Sequence, residues 1–350
     1  MVRRVVFAVP GNLATPTGGY VYDRRMIAEL QQLGWQVDVV DLGEGYPWLS
    51  ADKRKDGEAR LLALPEDRTV VVDGLALGVL PDAARRMRAN YRLIALVHHP
   101  LALESGLSAK QVEILRASER EALAAAHHVV VTSRATAKTL AGDYGVAADK
   151  MTIACPGSDP APAAQGSSDG VVRLLSVGAV VPRKGFDVLI AALATLADLP
   201  WRLTIAGDRR RDPDAATRLD ADIARFKLAS RVDVPGAVSS ERLAELYGSA
   251  DLFVLASRYE GYGMAYAEAV AHGLPVIGTK AGAITDTVPA DAGVLVDPDD
   301  VGALALALRR LIENRDERHR LAASARAAAR QLPTWQDAAQ KFSAALEALA

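Results

Sequence analysis

The stretch DLFVLASRYEGYGMAYAEAVAHGLPVIGT, residues 251–279, opens on an apolar run of strand length, 251–257. It continues through the polar loop RYEGYG and an alanine-rich segment, 263–272, and closes on a second apolar run, LPVIGT (274–279). Strand, loop, helix and strand in that order make a βαβ unit of a parallel sheet. Ligands of open α/β sheets bind at the carboxyl ends of strands, and RYEGYG occupies such an end. Glu260 falls on the loop, and Glu268 falls one to one and a half turns into a helix expected to begin near Gly263. The glycines permit a sharp turn, and free N–H groups at the helix start suit an anion. Glu268 suits a vicinal diol, as acidic residues do for ribose in dinucleotide sites, and Glu260 would face what lies beyond the phosphates.

The same alternation runs outward through the chain. Strand-like runs occur at 4–10, 36–42, 69–74, 93–99, 128–133 and 151–156, with helical stretches such as 22–34, closed by Gly34, and 108–126 between them. SDPAPAAQGSSDG (158–170) then breaks the rhythm and reads as a linker. Strand-like runs resume at 172–178, 201–207, 231–236, 251–257, 274–279 and 293–298, with helices expected at 185–197, 214–228, 239–249 and 263–272. The expected fold class is α/β, two Rossmann-like doubly wound domains. A helical run from 300 extends to Pro333, where a last helix, 334–350, starts afresh. The domains are expected at 1–160 and 161–333, with that last helix crossing back to the first.

With 350 residues, the chain exceeds one ordinary core, and a formal net charge of −2 gives no electrostatic case for nucleic acid. Its one cysteine, Cys155, leaves no disulfide framework and no cysteine zinc site, which suits a reducing cytoplasm. The N-terminus reads as a first strand, and no apolar run is long enough to span a membrane.

Other segments converge on the carboxyl ends of the second set of strands. VGAVVPRKGFDVL (177–189) sets Arg183 and Lys184 between a strand and a glycine-started helix, where cations can clamp a diphosphate. AGDRRRD places Gly207 at the next strand end, and VPGAV (234–238) offers backbone groups of the kind that hold a flat base. In the first half LIALVHHPLALESGL ends a strand on His98 and His99, and a histidine there can hydrogen-bond a sugar hydroxyl or stabilise developing charge. A metal pair is set aside, because successive strand residues face opposite sides and no partner cluster is evident. Ser133 is a further candidate at a strand end. Glu113 reads as a surface residue, and so does Glu104, apart from an acceptor contact open to it beside His98. The D-x-D spacings in DPDAATRLDAD (212–222) and DPDD (297–300) read as a helix start and a turn, and the basic run 84–92 as a solvated helix face.

Taken together, VGAVVPRKGFDVLIAAL, LAELYGSADLFVLASRYEGYGMAYAEAVAHGLPVIGT and AGVLVDPDD resemble the family 4 glycosyltransferases, retaining enzymes of the GT-B fold. The resemblance covers the second half closely and the first half more loosely. It implies that Glu260 touches donor-sugar hydroxyls near the reacting carbon, that the backbone at Tyr262, Gly263 and Met264 lines the sugar and phosphate pocket, that Glu268 binds the ribose, and that Lys184 binds the diphosphate. It departs at Ala179, where the family often has an arginine, and Arg183 is the candidate replacement. Gly18 and Gly19 resemble the family's N-terminal glycine loop, whose backbone N–H groups reach the donor phosphates because no Cβ intervenes. His98 aligns with a histidine that lines the family's reaction centre.

The implied activity is transfer of a sugar from a nucleotide-diphosphate sugar to an acceptor hydroxyl of a glycan, lipid or small molecule, with His98 and Glu260 catalytic. No cofactor and no obligatory metal are expected. A lipid acceptor would add peripheral membrane contact to a cytoplasmic location. A phosphorylase or nucleotide-sugar epimerase on the same fold, and a non-catalytic nucleotide-sugar binding protein, are the alternatives. A nicotinamide dehydrogenase lacks its glycine fingerprint.

Overall fold

The computed structural model describes residues 3–15, 17–66 and 68–349; Pro16 of the glycine loop and Ala350 of the expected last helix lie outside them. The chain forms two compact units, Met1–Gly157 with Pro333–Ala350, and Ser158–Leu332.

The first unit holds six parallel strands: β1 (Arg3–Val9), β2 (Trp35–Asp41), β3 (Thr69–Asp73), β4 (Arg92–Val97), β5 (His128–Val131) and β6 (Met151–Ile153). Their order is β2-β1-β3-β4-β5-β6. Every residue of β3 is buried, as expected for a central parallel strand covered on both faces, whereas the edge strand β2 keeps polar Gln36 and Asp38 among its apolar residues. The second unit holds β7 (Val172–Val177), β8 (Trp201–Ala206), β9 (Val232–Gly236), β10 (Leu252–Val254), β11 (Val276–Thr279) and β12 (Gly293–Val296), ordered β12-β11-β10-β7-β8-β9. Pro235, which cannot donate to a ladder, lies in the edge strand β9. Strand order reverses between β1 and β3 in one sheet and between β7 and β10 in the other, and such switch points are where α/β sheets bind ligands.

All twelve expected strand runs are strands, and the differences lie at their ends. β10 stops at Val254, so the buried residues Leu255–Ser257 already belong to the loop. The helical run from 300 is two helices, Val301–Glu313 and Arg315–Ala329, because the Asn314 side chain accepts from Glu317 N and restarts the chain as a cap. The segment read as a linker is a strap on the second unit. Its backbone groups need partners, and Ala164 N donates to His272 O at 2.8 Å and Gln165 N to Gly248 O at 2.8 Å.

The last helix, Trp335–Glu347, belongs to the first unit, where Phe342 stacks on Phe7 at 5.7 Å and Trp35 Nε1 donates to Ser343 Oγ at 2.9 Å. Trp335 packs against Tyr22 at 5.8 Å. Among the described residues no helix is long and apolar enough to cross a membrane.

Candidate functional site

The loops after β7 and β10 flank the switch point of the second sheet, and they touch backbone to backbone. After β7 the chain makes a tight turn, Pro182–Lys184, passes Gly185 at φ +65° and enters the helix Phe186–Ala194. A Cβ on Gly185 would lie 2.0 Å from the Ala256 carbonyl oxygen, so only glycine meets both the left-handed backbone and the contact. Arg258 fastens the same loops. Its N–H donates to Arg183 O at 2.8 Å, and its guanidinium bonds both oxygens of Asp187, at 2.7 and 3.1 Å, and Asp299 at 2.7 Å. The sequence reading passed over Arg258. Its signal would have been the fork geometry of an arginine beside a motif loop, with its two acidic partners far away in the chain.

Glu260 is the centre of this arrangement and is 6% exposed. Its Oε1 accepts from Lys184 Nζ at 2.7 Å and from the Ser257 hydroxyl at 2.6 Å, and its Oε2 accepts from Arg183 Nη1 at 3.2 Å. Burial by itself raises this carboxyl, but Lys184 and Arg183 outweigh it and bring the pKa down to about 2. One carboxylate facing two cations leaves a surplus positive charge beside the switch point. Arg183 also donates to the Tyr259 carbonyl at 2.7 Å, which fixes its head group. Arg183 and Lys184, expected to clamp a diphosphate, thus both hold Glu260 in the ligand-free chain.

Helix starts add to that field. Nine of the helices that reach eight residues have a side chain accepting from the first turn: Thr17, Ser50, Ser108, Ser133, Asp212, Ser239, Asp300, Asn314 and Thr334. Two among the described residues have none, and they are the two that leave the switch point. Phe186–Ala194 starts at Gly185, and Met264–Ala271 starts at Gly263, at φ +91°. At Phe186–Ala194 the first-turn carboxylate of Asp187 interacts with the Asp187 and Val188 N–H groups, so the start at Gly263, with no acidic residue in its first turn, is the one better suited to an anion. Tyr262, Gly263 and Met264, expected to line the pocket by backbone, form this second start.

Glu268 sits in the second turn of that helix and accepts from the Tyr247 hydroxyl at 2.9 Å. Burial raises its pKa, with Tyr247 and Lys184 opposing and Asp159 adding. Tyr247 is itself fixed by a parallel stack on His272, with ring centroids 4.9 Å apart. Lys184 therefore bonds Glu260 and acts electrostatically on Glu268, and those three expected residues share one neighbourhood.

In the first unit, β4 ends at Val97, so His98 follows the strand. Gly18 and Gly19 are the first residues of the helix Gly18–Gln32, with the Thr17 side chain capping, and not a loop that precedes it. A Cβ on Gly19 would lie 3.3 Å from His98 Cδ2, so the glycine gives the ring its space. His98 does have a partner cluster, against expectation: Nε2 lies 3.2 Å from Asp23 Oδ1 and 3.7 Å from Asp73 Oδ2. Asp23 comes from the helix after β1 and Asp73 ends β3, so all three stand at the first sheet's switch point. Burial lowers the His98 pKa, but Asp23 and Asp73 reverse this and raise it.

Other candidates are placed elsewhere. Ser133 is a buried helix cap, its Oγ accepting from Thr136 N at 3.0 Å, because a serine at a strand–helix junction satisfies a first-turn donor. Glu104 approaches His99 at 3.5 Å, where the sequence suggested His98. The D-x-D segments supply caps through Asp212 and Asp300, as expected of a helix start and a turn.

Two parallel Rossmann-like sheets, with a charged trio and two helix starts lacking a side-chain cap at one switch point, define the GT-B class. Solved structures share this fold along the whole chain. Sucrose-phosphate synthase from Thermosynechococcus elongatus superposes with a TM-score of 0.82 at 21% identity, covering 99% of each chain. The Anabaena protein HepE, solved with UDP and glucose, superposes at 0.76 with 19% identity, covering 98% of this chain and 99% of its own. The family model "Glycosyl transferases group 1" matches residues 159–328 and "Glycosyltransferase Family 4" matches residues 70–161, and the chain belongs to the family 4 glycosyltransferases. Curated relatives include a D-inositol 3-phosphate glycosyltransferase of Xylanimonas cellulosilytica, 34% identical over 63% of this chain and 57% of that protein. An MMP alpha-(1->4)-mannosyltransferase of Mycolicibacterium hassiacum is 26% identical over 80% of this chain and 71% of its own length. The match spans 57% and 52% of two inositol-phosphate relatives, little more than half of their length.

Proposed function

We propose that the protein is a retaining glycosyltransferase that moves a sugar from a nucleotide-diphosphate sugar to an acceptor hydroxyl. The observation that carries this reading is the pair of helix starts without side-chain caps beside Glu260, Lys184 and Arg183. In this role Ser158–Leu332 is the donor-binding unit and Met1–Gly157 is the acceptor-side unit. Lys184, Arg183 and the N–H groups at the helix start of Met264–Ala271 receive the diphosphate, Glu268 accepts from the ribose hydroxyls, and the backbone of Tyr262, Gly263 and Met264 lines the phosphates and sugar. Glu260 accepts from hydroxyls of the donor sugar, and within the acceptor-side unit His98 is the candidate catalytic residue, with the Gly18–Gly19 backbone beside it.

In the reaction the bond from the anomeric carbon to the diphosphate oxygen breaks and the acceptor oxygen bonds that carbon on the same face. The acceptor's proton passes to the departing diphosphate. Negative charge growing on the diphosphate is met by fixed cations and dipoles, an arrangement that needs no resident metal. UDP- and glucose-bound HepE shows that a protein of this fold takes such ligands. The test is to incubate the protein with UDP-, GDP- and ADP-sugars and follow release of the nucleoside diphosphate and the anomeric configuration of the product. Release from one donor with the configuration kept supports the reading. No thermal stabilisation by any nucleoside diphosphate, together with no release, overturns it.

A further inference from the structure

The environment of Asp23 is not explained by the fold. The residue is fully buried, neither carboxylate oxygen has a well-formed hydrogen bond, and its near polar neighbours are His98 and the like-charged Asp73 side chain. An isolated carboxylate in such a place costs several kcal/mol, so something must compensate it. Asp23 stands one turn beyond Gly19, and positions four apart share a helix face, so Gly19 and Asp23 together form the wall against which the imidazole lies. Gly19 admits the ring by lacking a Cβ, and Asp23 places a carboxylate oxygen 3.2 Å from its Nε2. The other groups around the ring are few. Asp73 faces it from β3 at 3.7 Å, the Tyr22 ring meets it edge-on at 5.4 Å, and Thr132 Oγ1 donates to the His98 carbonyl at 3.0 Å. Behind Tyr22 stand Trp335, with the Arg25 guanidinium over its ring, and Cys155, which acts electrostatically on the Tyr22 hydroxyl. Two carboxylates thus converge on one nitrogen, and a proton on the ring would compensate them.

We propose that Asp23 is a positioning residue for His98: with Asp73 it anchors the Nε2 edge of the ring as the imidazolium and leaves the Nδ1–H as a cationic donor for an oxygen of the substrate. The use of that donor on a sugar rests on the transferase reading, whereas the hold of Asp23 on His98 does not. The ring keeps 19% of its side-chain surface exposed, so a ligand can reach it. Burial pushes the Asp23 carboxyl up, the direction expected of a group that shares a proton with its neighbour.

The experiment is a nitrogen-15 NMR titration of histidine-labelled protein, with His98→Gln to assign the signal. In the wild type the His98 ring should stay charged through neutral pH, and Asp23→Asn should bring its midpoint down by about two pH units. A wild-type midpoint at or below the ordinary histidine value of 6.5, or an unmoved midpoint in Asp23→Asn, overturns the proposal. A ring signal that changes on adding EDTA overturns it too, since a bound cation would then be the compensation. If Asp23→Asn does not fold, the wild-type midpoint decides alone. A second arm separates the two readings: Asp23→Asn should lower kcat by about tenfold while nucleotide affinity stays unchanged, in line with a lost general-acid or charge-stabilising contribution. Absence of any transfer in the wild type would sink the transferase reading and leave the NMR result standing.

Discussion

Beside β7 and β10 a carboxylate, Glu260, sits between two cations; beside β3 and β4 an imidazole, His98, sits between two carboxylates. Both centres stand at the switch point of a six-stranded parallel sheet, so topology puts them in equivalent places, and side-chain chemistry makes them inverses. The surplus charge is positive in the second unit and negative in the first. The difference lies in what each has left over. Lys184 and Arg183 carry more charge than Glu260 can cancel, which suits a diphosphate, while Asp23 and Asp73 use up one face of a single ring.

The strongest way to break this comparison is to remove the charge at the centre of the second unit. Glu260→Gln keeps the shape of the side chain and its contact with Ser257 but takes away its charge. If Glu260 orients the donor sugar, transfer should fall about a thousandfold, the scale of losing one preorganised polar group at a reacting centre. The measurement is nucleoside diphosphate release with acceptor present, with circular dichroism to confirm the fold. Wild-type turnover would remove Glu260 from the reaction.

The two centres also predict opposite responses to pH. Glu260 has a folded pKa of about 2 against an ordinary 4.5, so its stabilisation is present above 4.5 and lost as pH falls through 2. The shift corresponds to about 3 kcal/mol, an order-of-magnitude figure for a buried group. His98 is raised in the folded chain, so its stabilisation is present below 6.5 and lost as pH rises through the folded value. Chemical denaturation from pH 2 to pH 5 should therefore show a slope that Glu260→Gln flattens and His98→Gln leaves alone. A slope unchanged by Glu260→Gln would mean that other carboxylates carry it.

A smaller effect is expected from the surplus itself. Lys184→Met removes one of the two cations and keeps the length of the side chain. Nucleoside diphosphate affinity should weaken by about 10- to 100-fold, as expected for a charge-assisted hydrogen bond. Isothermal titration calorimetry checks this. Unchanged affinity would restrict Lys184 to holding Glu260.

How far each centre could be read beforehand follows from where its members lie. Glu260, Lys184 and Arg183 all stand on loops next to glycines, between an apolar run and a helix, so local pattern alone marked them. Asp23 and Asp73 do not: one sits in the second turn of an amphipathic helix and the other closes the strand TVVVD. In one dimension each looks like an ordinary polar residue, and only the sheet order β1-β3-β4 brings them to His98. The strand runs were legible because buried parallel strands are continuously apolar. The restart at Asn314 and the strap at 158–170 were not, since a side-chain cap and long-range backbone bonds leave little periodic trace.

Tyr247 gives the finest test, because its hydroxyl, which bonds Glu268 at 2.9 Å and reaches the Ala265 carbonyl at 3.3 Å, can be removed alone. Tyr247→Phe keeps the stack on His272 and removes the hydroxyl that donates to Glu268. Glu268 is already raised by burial, and that hydroxyl is the largest influence holding it down. Losing a donor to the charged form raises the carboxyl further, so more of it is protonated at a given pH. A protonated Glu268 accepts less well from ribose hydroxyls, and nucleotide affinity should drop about fivefold, equivalent to about 1 kcal/mol. The loss should be larger at pH 5.5 than at pH 8, because lower pH favours the protonated form. Calorimetry at the two pH values separates this from a packing effect, since a defect of equal size at both would place the role of Tyr247 in the stack and not in the charge of Glu268.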